Sequence, residues 1–125
     1  MEQEEITEKI IACAFKVHNT LGFGFLEKVY ENAFKIELLK NNFEVKQQYP
    51  LPVYYDDNLV GDYFADIVVN ENIVVEIKTV ETLAKIHEAQ LVNYLKASNN
   101  EFGLLINFGK SVQVKRKYKN PKEGI

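Results

Sequence analysis

Apolar side chains recur at helical spacing from about Thr7 to Thr20, on a stripe holding Ile6, Ile10, Cys13, Val17 and Leu21. The segment Leu21-Gly22-Phe23-Gly24 ends that run. A second helix is predicted from about Phe25 to Lys40, with Leu26, Val29, Tyr30, Ala33, Phe34 and Ile36 as its apolar side and Asn41-Asn42 as its stop. The period then changes to two. Residues 43–48 read as a strand, and Pro50 and Pro52 push the next stretch toward a sheet edge. Asp56-Asp57-Asn58 signals a turn, so residues 51–55 and 59–69 should pair as a hairpin. Residues 73–78 form a short strand apolar enough to be buried on both faces. A third helix is expected over Leu83 to Ala97, a buried strand over Phe102 to Asn107, and a last polar strand over Ser111 to Lys117. The order α-α-β-β-β-β-α-β-β is a mixed α/β layer architecture, with 73–78, the third helix and 102–107 as one β-α-β crossover.

At 125 residues, one domain spanning 1–125 is expected, with acidic residues 1–5 and the basic tail 118–125 fraying at its ends. The chain is 46% hydrophobic and 26% charged, as in ordinary soluble proteins. Its net charge of −3 excludes a general attraction to nucleic acid, so any basic surface must be local. Lys110, Lys115, Arg116, Lys117, Lys119 and Lys122 concentrate near one end. A single cysteine excludes an intramolecular disulfide and fits a reducing compartment. On its helical stripe Cys13 reads as a core residue. The acidic N-terminus does not resemble a signal peptide, and no apolar run is long enough to cross a bilayer. A cytoplasmic protein without membrane contact is expected.

The chemistry begins in Ile73-Val74-Val75-Glu76-Ile77-Lys78. Side chains alternate along a strand, so Glu76 and Lys78 point the same way out of an apolar segment. Buried charges there need a partner or a metal. The preceding strand contributes Asp66. With a loop of Asn70-Glu71-Asn72, Val69 pairs with Ile73 and Asp66 lies across from Glu76, while Phe64 lies across from Lys78. A two-residue loop would turn Asp66 to the opposite face. Asn72 tolerates the left-handed conformation that three-residue loops commonly need, which favours the first register. Opposed Cβ atoms sit about 5 Å apart, close enough for two carboxylates to share a divalent ion. Oxygen ligands suit Mg²⁺ or Mn²⁺, and the chemistry implied is metal-assisted phosphodiester hydrolysis with Lys78 orienting water. A solvated cross-strand ion pair is the simpler alternative.

Gly24-Phe25-Leu26-Glu27-Lys28-Val29-Tyr30 resembles the G-x-x-E-x-x-Y signature of the GxxExxY proteins, a group within the PD-(D/E)XK nuclease superfamily. The resemblance continues through Gln48–Val53, Ala65-Asp66, Glu76-Ile77-Lys78, His87–Gln90 and Gly103–Gly109, covering about residues 6 to 117. It implies a restriction-endonuclease-like core, a mixed central sheet flanked by helices. It also implies a site with Asp66, Glu76 and Lys78 at its centre and Glu27 on the preceding helix. Gln90 and Tyr94 are similar to the Q-x-x-x-Y element of RecB-like nucleases. Metal would then be held by Asp66, Glu76 and Glu27. Independently, Glu27 falls at the rim of its helix's apolar face, and Leu83, His87, Gln90 and Tyr94 share one stripe of the third helix, where Gln90 could reach Lys78 or a phosphate. For His18 a place at a helix C-terminus, and for His87 a packed, hydrogen-bonded role, are the expected readings.

The function expected is a divalent-metal-dependent nuclease acting on nucleic acid, DNA before RNA, and a homodimer would suit the cutting of both duplex strands. The alternative is a non-catalytic nucleic-acid-binding or regulatory module on the same fold, with a purely structural interaction protein third.

Overall fold

A computed structural model describes residues 2–120. Its elements are α1 (Gln3–Leu21), α2 (Glu27–Lys40), β1 (Val45–Tyr55), β2 (Asn58–Val69), β3 (Ile73–Lys78), α3 (Lys85–Ser98), β4 (Phe102–Phe108) and β5 (Val112–Tyr118). The helices and strands take the expected order, with the segments 43–48 and 51–55 merged into the single strand β1. Its two prolines are tolerated because β1 is an edge of the five-stranded sheet, ordered β1-β2-β3-β4-β5. Gln3 to Glu5 belong to α1 rather than fraying, and β5 carries Lys115, Arg116 and Lys117 in a strand that reaches Tyr118. The rest of the basic tail from residue 121 lies outside the described residues.

β3 and β4 are parallel and joined through α3; the other pairs are antiparallel. One sheet face packs Ile67, Val69, Val75, Ile77, Leu104 and Ile106 against α1 and α2. The other packs Val68, Val74 and Leu105 against Leu91 and Leu95 of α3. Apolar burial on both faces explains why β3 and β4 read as continuous hydrophobic runs. Cys13 sits in the first of these cores, its thiol pushed up by burial and by Glu37, so it stays protonated.

In α2 the buried stripe is Tyr30, Phe34 and Leu38, with Glu31 beside it. Leu26, Val29 and Ile36, expected on the apolar side, are exposed. The helix meets the core through a narrower i, i+4 stripe than its composition suggests.

The β1–β2 hairpin is the longest part of the sheet. It closes through Asp56 and Asp57, both at positive φ, with Tyr55 opposite Asn58. Within β2, only Ile67, Val68 and Val69 pair with β3, so residues 50–64 form an arm beyond it.

Candidate functional site

The turn before α2 is built by its motif. Gly22 and Gly24 take φ of 73° and 107°, where an L side chain is strained. The Tyr30 hydroxyl donates to the Gly22 carbonyl at 2.6 Å and accepts from the Phe25 N–H at 3.3 Å. Its ring stacks on Phe108 with centroids 4.8 Å apart. Glycine thus permits the turn, tyrosine ties it to the core, and Glu27 is left as the first residue of α2. His18 anchors the same end of the molecule, its Nε2 lying 2.8 Å from the Gly109 carbonyl oxygen.

The β2–β3 register is the one the loop length implies: Val69 opposes Ile73, and pairing runs to Ile67 opposite Val75. The left-handed residues of the loop are Asn70 and Glu71 rather than Asn72. Beyond Ile67 the backbone ladder stops, and side chains take over its donors. The Asp66 N–H donates to Glu76 Oε2 at 3.0 Å, and the Ile77 N–H donates to Asp66 Oδ2 at 2.8 Å. Two carboxylates therefore face each other where β2 leaves β3. Lys78 lies two residues beyond Glu76 on the same strand face and is half-buried.

A kink places Asp66. Ala65 packs on the α3 face while Ile67 packs on the α1/α2 face, so the alternation of β2 breaks between them. In β1, Gln48 lies between the pairs Gln47–Ile67 and Tyr49–Ala65 and has φ of 51°. Glu31 meets the side chain of this residue. This buried acid accepts from Gln48 at 3.1 Å, from Gln47 at 2.7 Å and from the Lys28 ammonium at 3.1 Å. Sequence reasoning does not single out Glu31. Its one signal is a charge three and seven residues before Phe34 and Leu38, within the inward stripe of α2.

The electrostatics of the opposed carboxylates are unbalanced. The Glu76 carboxyl is pushed up to about 9, first by burial and then by the Asp66 charge, against a smaller opposing pull from Lys78. Glu27 is also raised, again by burial and then by Asp66, with Lys78 opposing. The Tyr94 hydroxyl is raised by burial and by the charges of Glu76 and Asp66. The charges of Asp66 and Glu76 are thus felt by Tyr94 on α3, and that of Asp66 by Glu27 on α2.

Gln90 requires a correction. The sequence puts it on the inward stripe of α3, but it is exposed, because α3 packs through Leu91 and Leu95 and turns position 90 outward. His87 accepts the Ala84 N–H on Nδ1 at 3.0 Å and caps the helix, a hydrogen-bonded role of the expected kind. Asn107 enters the sequence reading only as part of a motif. Fully buried in an apolar strand, its side chain bonds both the N–H and the carbonyl of Val80 and also Gln113. It thereby clamps the chain just after Lys78.

The donor set can be matched to a divalent cation. The backbone donors engage Glu76 Oε2 and Asp66 Oδ2, which leaves the second oxygen of each carboxylate without a backbone donor and able to ligate. A cation would relieve the repulsion that raises Glu76, and oxygen ligands suit Mg²⁺ or Mn²⁺. Among the described residues no three carboxylate, His or Cys side chains are drawn close enough to hold an ion. Glu27 feels the Asp66 charge but does not join Asp66 and Glu76 in a three-acid cluster. The chemistry of the two opposed carboxylates suits a divalent ion, which they could hold as two of its ligands.

A family model described as the PD-(D/E)XK nuclease superfamily matches residues 4–119. A crystal structure of SSO0001 is similar at a TM-score of 0.56 and 21% identity, covering 73% of this chain and 48% of that one. The chain therefore spans about half the length of that protein, and the likeness is one of fold. No curated protein matches the chain. Among the described residues no helix is long and apolar enough to cross a membrane.

Proposed function

Because the chain belongs to the PD-(D/E)XK nuclease superfamily, we propose that it is a divalent-metal-dependent nuclease of the GxxExxY group, hydrolysing phosphodiester bonds in DNA. The observation that carries this reading is the opposition of Asp66 and Glu76 where the sheet opens, with Lys78 two residues on. Asp66 and Glu76 would hold Mg²⁺ or Mn²⁺, with Glu27 available from α2. Such an ion, when bound, polarises a phosphoryl oxygen and acidifies water.

The chain's own residues supply the rest. The Lys78 ammonium donates hydrogen bonds to the attacking water and to the phosphoryl oxygen on which charge grows. Asn107 holds the backbone after Lys78, so that amine projects from a rigid strand end. Tyr94 and Gln90 line a groove on the α3 side, from which Gln90 can meet substrate. A homodimer would let two such sites address both strands of a duplex.

The test compares cleavage of plasmid and oligonucleotide DNA in Mg²⁺ or Mn²⁺ by wild type and Lys78→Ala. Loss of a donor of this kind costs about 100-fold in rate, with metal affinity within a few-fold of wild type. Metal binding without cleavage of any DNA or RNA would remove the enzyme reading and leave a nucleic-acid-binding module.

A further inference from the structure

A groove of about 620 Å³ opens beside the carboxylate cleft, between the β1–β2 arm and α3. Its walls include Tyr54 and Tyr63 from the arm and Tyr94, Gln90, Asn93 and Lys96 from α3. Tyr63 and Tyr94 stand with ring centroids 5.7 Å apart at 45°. The groove lies next to the carboxylates, since Tyr63 is three residues before Asp66 on β2 and Tyr94 packs against the apolar cluster that includes Ala65. We propose that this groove holds an unstacked base of the strand being cut, next to the scissile phosphate. The proposal rests on the nuclease reading for the position of that phosphate.

The chemistry of the walls selects the occupant. Aromatic faces stack on any base at about 1–3 kcal/mol each, without demanding a sequence. The side-chain amides of Gln90 and Asn93 offer donors and acceptors to a base edge. Lys96 is the groove's one charged wall residue, enough for a single flanking phosphate and too few to track a backbone. The volume falls in the range of small-molecule sites, roughly 300–1,000 Å³. A base inside a duplex can enter only by flipping out, at the cost of unstacking and unpairing. The groove therefore favours single-stranded DNA, or the frayed, flapped or gapped parts of a duplex. Half of the Tyr63 side chain and more than half of Tyr54 are open to solvent. Both can be changed without emptying the core.

The experiment measures the affinity of the full chain for short single-stranded DNA carrying 2-aminopurine, without divalent metal so that nothing is cut. Quenching of the fluorophore and at least tenfold preference over the same sequence as a duplex are expected. Tyr63→Ala should weaken binding about tenfold, Tyr63→Phe should restore it, and a strand abasic at the bound position should bind as poorly to wild type as the intact strand binds to Tyr63→Ala. Equal affinity for duplex, abasic and intact strands, or no effect of Tyr63→Ala in a protein with wild-type circular dichroism, would overturn the proposal. If DNA is cut in Mg²⁺ while Tyr63→Ala changes neither binding nor KM, this inference fails and the nuclease reading stands. If the base is bound and quenched but never cut, the nuclease reading fails and the base site stands.

Discussion

Glu31 and Glu76 are buried to nearly the same degree, at 2% and 6% exposure, yet their surroundings are opposite. Glu31 accepts bonds from Lys28, Gln47 and Gln48, so its charge is compensated from three directions. Glu76 faces a second carboxylate, and only the Asp66 N–H and, more weakly, Lys78 pull the other way. Burial of a charge does not by itself mark a site. A buried charge whose partners are incomplete marks one, because something from outside must supply the rest.

The comparison can be broken most sharply by removing each acid. Glu31→Ala should cost about 2 kcal/mol in urea unfolding, since it removes the acceptor of three side-chain hydrogen bonds. Its metal affinity should fall by no more than a few-fold. Glu76→Gln should do the reverse, raising the stability of the metal-free protein by about 1–2 kcal/mol at pH 8 while weakening metal binding at least about tenfold. A destabilised Glu76→Gln would place Glu76 in the structural class with Glu31.

The pH dependence comes from the same imbalance. A carboxyl raised in the folded state keeps a proton that the unfolded chain releases near its ordinary value of 4.5. Its stabilising contribution is therefore complete below about 4.5 and is lost as pH rises toward about 9. Thermal melts of the metal-free protein should show wild type losing stability across that window relative to Glu76→Gln. Parallel profiles would contradict the assignment.

The smallest effect concerns the turn that delivers Glu27. Tyr30→Phe keeps the stack on Phe108 and deletes the bond to the Gly22 carbonyl. About 1 kcal/mol of stability should go with it, measurable by urea titration, with little change in metal affinity if Asp66 and Glu76 are the principal ligands.

Periodicity alone locates every helix and the apolar strands, and loop length sets the β2–β3 register that opposes Asp66 and Glu76. These are local signals. The features hidden from the sequence depend on contacts between distant segments. The kink at Asp66 lies beside a left-handed Gln48 whose side chain is bonded to Glu31, a residue on a helix 17 positions earlier in the chain. The outward turn of Gln90 depends on α3 docking through Leu91 and Leu95, one step round the helix from the stripe that joins Gln90 to Tyr94. Glu31 and Asn107 are legible in principle as polar residues in apolar patterns, but nothing local names their partners.

The central claim is that Asp66 and Glu76 together hold a divalent cation, and titration calorimetry with Mn²⁺ tests it most directly. Wild type should bind with release of a proton, seen as a dependence of the heat on the buffer's ionisation enthalpy. Asp66→Asn and Glu76→Gln should each lose at least about tenfold in affinity, a loss of about 1.4 kcal/mol or more, and Glu31→Gln should bind as wild type does. Equal binding by all four proteins, without proton release, would contradict the account.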